Sequence, residues 1–366
     1  MKKTIGRIST GVRNLDGLLH GGLPKGVMMT HQNIVAAATS ITTYLENVPE
    51  DVILSALPLA FDYGLYQALM SVKVGATLIL EKAFTYPAVM LQKLKTERVT
   101  GLPVVPTLAA ILLQMKDIAP DMFPNLRYIT STGAALPPAH VLRLQDMFPA
   151  TRLYSMYGLS ECKRCTYLPP AQLRNRPGSV GIAIPGTDAY VVTEDGQRAG
   201  PGVVGELVIR GAHVFKGYWE DQPATDRMLR PGRYPWEKVL YTNDLFMSDA
   251  EGYLYFVGRT DDIIKSRGEK VSPKEVENVL YALEGIREAA VFGIADPLLG
   301  MAVKATVMVD PASGLTERDV IAHCAKHLED FMVPKRVEFR QNLPQSDNGK
   351  IRRNALQAES LESVES

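Results

Sequence analysis

Arg127-Tyr128-Ile129-Thr130 is a β-rich run, Gly133-Ala134-Ala135 is a break of small residues, and Pro138 to Met147 carries a helical pattern. The same alternation runs outward from this stretch. Upstream, Val52-Ile53-Leu54 ends at Pro58, Ala76-Thr77-Leu78-Ile79-Leu80 follows a glycine, and Thr107 to Met115 reads as a helix. Downstream it ends near Tyr157. Short strands separated by helices need crossover connections, and such crossovers build a largely parallel sheet. The segment from Ile53 to about Tyr157 is therefore expected to be an α/β layer.

The texture changes twice further on. From Gly178 to Val257, short β runs (Ala189 to Val192, Gly205 to Arg210, Tyr253 to Val257) are separated by Gly, Pro and Asp turns. That pattern predicts a β-rich subdomain in the manner of a distorted barrel. A third region opens near Asp261. There Ser272 is placed to cap a helix with Pro273 at its first position and Glu275 at its third. Strands at Glu288 to Phe292 and Ala302 to Val309 follow, then a helix from Glu317 to about Glu329. This reads as a compact α+β domain. The tail after Leu356 is acidic and Ser-rich and is expected to be disordered.

Composition excludes several classes. Of 366 residues 46% are hydrophobic, enough for a buried core, and Lys+Arg and Asp+Glu both total 40. No net field draws nucleic acid or an anionic membrane. The first residues lack the apolar stretch of a signal peptide, and Val104 to Leu113 is too short to span a bilayer. Three cysteines make no disulfide framework, which predicts a reducing, cytoplasmic setting.

Five short motifs bear possible chemistry, each with an ordinary structural alternative. In Tyr157-Gly158-Leu159-Ser160-Glu161, an aromatic face, a hydroxyl and a carboxylate suit adenine stacking, phosphate contact and Mg²⁺ binding. The alternative is a plain strand-to-loop turn. Asp244, in Tyr241-Thr242-Asn243-Asp244, can accept both ribose hydroxyls or simply close an Asx turn. The run from Gly258 to Lys270 sits at the second texture change and suits a hinge or a solvated linker. Asn348-Gly349 forces a turn that presents Lys350, either for chemistry or to solvent. Pro24-Lys25-Gly26 before a helix can approach phosphates through backbone N–H groups and one ammonium, or serve as a structural turn.

In this order and spacing, the motifs resemble the AMP-forming, adenylate-forming superfamily of acyl-CoA synthetases, luciferases and adenylation domains. Further matches are Gly133-Ala134-Ala135, Gly181 to Pro185, Gly205-Glu206-Leu207 with Gly217-Tyr218, and Val291-Phe292-Gly293 leading to Asp296 and Gly300. The resemblance covers about Leu23 to Leu356. It implies ATP-dependent activation of a small carboxylic acid as an acyl-adenylate. The acyl group then passes to the thiol of CoA or of a carrier protein's phosphopantetheine. It further implies that Tyr157 stacks on adenine and that Gly133, Ala134, Ala135 and Gly158 line the adenine and acyl site. Ser160 contacts phosphate, Glu161 holds Mg²⁺, and Asp244 and Arg259 bind ribose. Asp261 is the hinge of a mobile C-terminal domain, Lys350 stabilises charge during adenylation, and Lys270 lies near the hinge loop. Phe61-Asp62 falls beside the family's acyl pocket. In amino-acid adenylation domains an Asp there binds the substrate ammonium; otherwise Asp62 caps the helix that follows. Amino-acid activation with an acyl carrier protein as partner is therefore a second expectation, and a non-catalytic nucleotide binder a third.

The start departs from the pattern. Ahead of Pro24 the residues are Leu18-Leu19-His20-Gly21-Gly22-Leu23, without the family's phosphate-loop hydroxyls. Arg7 to Gly26 resembles the opening of RecA-like ATPases of the circadian-clock and DNA-repair type, yet no G-x-x-x-x-G-K-[ST] follows. The expected organisation is a RecA-like remnant (1–26), a partial α/β AMP-binding subdomain (27–177), a β-rich subdomain (178–258), a C-terminal AMP-binding domain (259–356) and a tail (357–366). Loss of the family's first subdomain is expected to expose a sheet edge and favour self-association. Two minor features stand apart. Cys162-Lys163-Arg164-Cys165 has metal-knuckle spacing without a second pair. His323 and His327 share a helix face without a third ligand.

Overall fold

The computed structural model describes residues 26–82, 87–115, 118–296, 299–345 and 351–365. The segment read as RecA-like lies outside them apart from Gly26. Along the chain, β1 (Val27–Met28) and α1 (His31–Tyr44) lead into β2 (Val52–Ser55), α2 (Asp62–Val74), β3 (Thr77–Leu80) and α3 (Pro87–Thr96). Then come β4 (Gly101–Val104), α4 (Pro106–Gln114), β5 (Tyr128–Ser131), α5 (Pro138–Met147) and β6 (Arg152–Tyr157). Strands β3-β2-β4-β5-β6 pair in parallel in that order, and β7 (Thr166–Tyr167) and β8 (Ile182–Ala183) extend the sheet antiparallel. The expected α/β layer is present. Every residue of β4 and β5 is buried, as parallel strands covered on both faces must be. Successive side chains take opposite faces. Ile129 and Leu153 join a core beneath α3, α4 and α5, whereas Tyr128, Tyr154 and Met156 join a tyrosine-rich core with α1 and α2.

The second region holds β9 (Thr187–Val192), β10 (Gly205–Gly211), β11 (Gly217–Tyr218), α6 (Gln222–Met228), β12 (Leu229–Pro231), β13 (Lys238–Ser248) and β14 (Leu254–Arg259). β11 pairs with β1, while the other strands form an antiparallel sheet. That sheet is open and branched, not the expected barrel. The cause is β13, eleven residues long with a register shift at Leu245/Phe246. Its first half pairs with β12 and its second half with β14 on the same side, so no strand is left to close a ring.

The third region packs β15 (Ile264–Ser266), β16 (Glu269–Val271), α7 (Pro273–Ala282), β17 (Ile286–Asp296), β18 (Gly300–Val309), α8 (Glu317–His327), β19 (Arg336–Phe339) and α9 (Arg353–Glu365). The predicted cap of α7 forms: Ser272 Oγ accepts from the Glu275 N–H at 3.3 Å, with Pro273 at the first position. The tail corrects the composition-based expectation of disorder, because α9 runs to Glu365. Leu356 is fully buried, Lys304 Nζ donates to Ser360 Oγ at 2.9 Å, and Arg340 pairs with Glu359 at 2.5 Å. These contacts hold a segment whose composition alone offers little burial. Among the described residues no helix is long and apolar enough to cross a membrane.

Candidate active site at the carboxyl ends of the strands

β4, β5 and β6 end at Val104, Ser131 and Tyr157, and the loops beyond them face one crevice. Open α/β sheets bind ligands at this end. Gly133, just past β5, has φ +93, a conformation that side-chain-bearing residues rarely adopt, and a Cβ there would lie 3.3 Å from the Phe61 ring. Phe61 is the N-cap of α2, which places Asp62 in the first helical turn. A carboxylate is favoured there by the unpaired N–H groups of the helix start. Asp62 also borders a small cavity with Phe61, Gly133, Gly158, Ser160 and Arg164. Asp62 does not cap the helix, because Phe61 takes that position and no side-chain cap bond forms.

The nucleotide motifs meet although they lie far apart in sequence. Tyr157 Oη donates to Asp244 Oδ2 at 2.5 Å, and the Tyr157 ring meets Phe246 edge-on at 4.8 Å. Asp244 and Arg259 are register partners on β13 and β14, with Nε 3.6 Å from Oδ1. Burial pushes the Asp244 carboxyl up to about 6, against the opposing pull of the Tyr157 hydroxyl and Arg259. Burial, reinforced by Asp244, holds the Tyr157 hydroxyl well above its ordinary value. Glu161 Oε1 accepts from Tyr218 Oη at 2.5 Å, and its carbonyl accepts from the Phe215 N–H at 2.8 Å. Asn243 has φ +58 and donates through Nδ2 to Asp261 Oδ2 at 3.0 Å. The expected hinge residue thus touches the expected ribose motif.

Other expected residues are placed differently. Lys350 and Lys25 lie outside the described residues; Gln345 and Ile351, on either side of 346–350, form an antiparallel bridge. Lys270 pairs with the exposed Glu194 at 3.6 Å. Ala134 is exposed between Gly133 and Ala135. Among the described residues no group of three His, Cys, Asp or Glu side chains can hold a metal ion, so the C-x-x-C spacing builds no zinc knuckle. Cys162 and Cys165 are free, buried thiols with Sγ atoms 2.9 Å apart. His323 Nε2 lies 3.0 Å from the Val279 carbonyl, and His327 Nδ1 lies 2.8 Å from that of His323.

Two residues escaped the sequence reading. Lys274 of α7 reaches the Ala135 carbonyl at 3.4 Å, and burial pushes its ammonium down to about 8. Arg164 turns inward and is 3% exposed. Its neighbours in sequence, Lys163 and Cys165, gave no sign of that burial.

The comparisons with known proteins agree with this geometry. A family model described as AMP-binding enzyme matches residues 21–219, and one described as AMP-binding enzyme C-terminal domain matches residues 275–350. The chain belongs to the AMP-binding enzyme family. A relative in the family, the long-chain-fatty-acid–CoA ligase of Bacillus subtilis (strain 168), is 34% identical over 93% of this chain and 60% of its own length. The oxalate–CoA ligase of Arabidopsis thaliana is 32% identical over 93% of this chain and 65% of its own. Among solved AMP-binding structures, ATP-bound MatB from Rhodopseudomonas palustris superposes with a TM-score of 0.85 at 29% identity, covering 94% of this chain and 67% of that one. MenE, the o-succinylbenzoate CoA synthetase of Bacillus subtilis, in complex with the acyl-adenylate intermediate OSB-AMP, gives 0.82 at 28% identity, covering 93% and 68%. The chain thus spans about three fifths of the length of the Bacillus ligase.

Proposed function

We propose that this protein activates a carboxylic acid with ATP and passes the acyl group to a thiol, that of CoA in the first instance, in the cytoplasm. In the first half-reaction the carboxylate oxygen attacks the α-phosphorus, pyrophosphate leaves, and an acyl-adenylate forms. In the second, a thiol sulfur attacks the acyl carbon, AMP leaves, and the thiol proton is released. The observation that carries the reading is the convergence of Tyr157, Asp244 and Arg259 beside Glu161 at the carboxyl end of the sheet.

In this reading the Tyr157 face supports adenine, with its hydroxyl tied back to Asp244 so that the ring is fixed in place. Asp244 and Arg259 receive the ribose, Ser160 contacts phosphate, and Gly133 to Ala135 let backbone approach the nucleotide. Glu161 fits Mg²⁺, which takes one or two protein carboxylates and completes its shell with phosphate and water oxygens. The bond from Tyr218 leaves Oε2 of Glu161 for that purpose. When bound, Mg²⁺ offsets the charge that builds on the phosphates. Asp261 is the hinge, Lys350 keeps its sequence-based assignment as charge stabiliser, and Lys25 keeps its own as a phosphate contact. Phe61 and Asp62 border the acyl group. Because Asp62 lines the cavity, an amino acid passed to an acyl carrier protein is the second reading.

Pyrophosphate–ATP exchange against fatty, aromatic and amino-acid carboxylates tests this. Exchange with at least one acid, abolished by Lys350→Ala and by Glu161→Ala, is the expected result. No exchange by folded protein that still binds ATP means a non-catalytic nucleotide binder. Sedimentation of the same preparation tests self-association at the β3 edge, where Leu80 is 50% exposed; a monodisperse monomer counts against it.

A further inference from the structure

Among the described residues, Arg164 is a buried cation without a matching anion. The loop after β6 forces it inward. Lys163 N–H bonds the Leu159 carbonyl at 2.7 Å, Cys165 N–H bonds the Tyr157 carbonyl at 2.9 Å, and Lys163 has φ +68. The loop has no slack, since a Cβ on Gly158 would lie 2.0 Å from the Lys163 carbonyl oxygen. The guanidinium stacks 4.5 Å over the Tyr63 ring and donates one N–H to the Lys163 carbonyl at 3.0 Å. Its Nε–H is buried with no partner among the described residues. Guanidinium stays charged in proteins, and a buried charge without a counter-ion costs several kcal/mol. Such a group is kept where something arrives to meet it.

Asp62 borders the same cavity, yet the two make no ion pair. Among the described residues Tyr66 Oη and Ser131 Oγ are also buried without partners, and both Asp62 and Arg164 act on the Tyr66 hydroxyl. The cavity therefore offers a fixed donor and a fixed acceptor separated by space. The space open to the centre of a water-sized sphere there is about 40 Å³, more than the roughly 10–15 Å³ that one water needs, so a polar substituent fits. An alkyl group would leave both charges unmet. A second carboxylate would suit Arg164 but face Asp62, and an ammonium would suit Asp62 but face Arg164. A hydroxyl satisfies both, accepting from Arg164 and donating to Asp62.

We propose that Arg164 is a specificity-determining residue and that, with Asp62, it selects a hydroxy acid as the substrate. The inference rests on the acid-activating reading above. Sites built to hydrogen-bond a substrate hydroxyl reject the analogue lacking it more strongly than apolar pockets reject a missing methylene.

The test compares butanoate, 2-hydroxybutanoate, 3-hydroxybutanoate, 2-aminobutanoate and succinate in pyrophosphate exchange and, with ATP present, in calorimetric binding. One of the hydroxybutanoates is expected to exceed butanoate by about tenfold or more in kcat/KM. In Arg164→Met this ratio should fall to within about twofold, with the change in KM. Asp62→Asn, on a half-buried helix start, should lower the same ratio and serves if Arg164→Met does not fold. Butanoate, succinate or 2-aminobutanoate as the best substrate overturns the proposal. So does an Arg164→Met that weakens all five acids equally, the mark of a purely structural arginine. Calorimetry separates the two readings. Preferential hydroxybutanoate binding, lost in the variants but without exchange, sinks adenylation and keeps this subsite. Exchange without hydroxyl preference does the reverse.

Discussion

The two ends of one parallel sheet treat charge in opposite ways. At the amino ends, Asp51, Thr100 and Arg127 immediately precede β2, β4 and β5. Arg127 NH2 donates to both Asp51 oxygens at 2.9 and 2.8 Å, Thr100 Oγ1 donates at 2.7 Å, and Asn47 and the Val48 N–H each donate at 3.0 Å. Burial alone would raise the Asp51 carboxyl, but these bonds together hold it below its usual range. At the carboxyl ends, Asp244 is raised, its arginine stands 3.6 Å off, and Arg164 Nε has no partner among the described residues. At one end the carboxylate is satisfied within the chain. The other, in the function proposed above, is completed by a ligand.

The largest break in this comparison is Arg127→Met. It strands the Asp51 carboxylate, whose side chain is 1% exposed, and should cost about 3–5 kcal/mol in urea unfolding while Arg164 and Asp244 keep their surroundings. Asp244→Asn should act in the opposite direction. It removes a desolvated charge and is expected to raise unfolding free energy at pH 8 by up to about 3 kcal/mol, yet remove the thermal protection given by ATP. Loss of stability, or ATP protection equal to that of the parent, would put Asp244 with the structural end.

The smallest effect is a slope. Asp244 titrates near 6 when folded against an ordinary 3.8, so between those values the folded state holds the extra proton and stability falls as pH rises. Buried His140 does the reverse. Burial lowers it to about 4 from 6.5, the unfolded chain holds the extra proton, and stability rises with pH across that window. The slopes oppose each other between about pH 4 and 6. Unfolding of Asp244→Asn at pH 4.5, 5.5 and 6.5 should therefore show a steeper rise than the parent; an unchanged slope would refute the Asp244 assignment.

Local signals made part of this legible. The alternation around Tyr128 to Met147 gave the parallel sheet, Ser272-Pro273 gave the start of α7, and the motif order gave the family. What stayed hidden is non-local. Tyr157 and Asp244 meet across 87 residues, and nothing in either motif announces that a phenol will tie down a carboxylate. The register shift in β13 decides that the second sheet stays open, and a one-residue irregularity leaves no mark in a Gly- and Asp-punctuated pattern. Arg164 lies inside the C-x-x-C spacing, which carries no mark of its burial. The tail was misjudged because its anchors, Lys304 and Arg340, belong to distant strands.

That tail has a practical meaning at the bench. Arg353, the first residue of α9, grips Glu277 of α7 with NH2 at 2.7 and 2.8 Å and reaches Asp262 at 3.5 Å. Glu277 is 4% exposed. Trimming the chain ahead of Arg353, as a protease or a shortened expression clone would, does not merely shed a charged appendage. It leaves an acid inside the third domain without its cation and unfastens the segment beside Asp261, so the boundary of any expression clone belongs beyond α9.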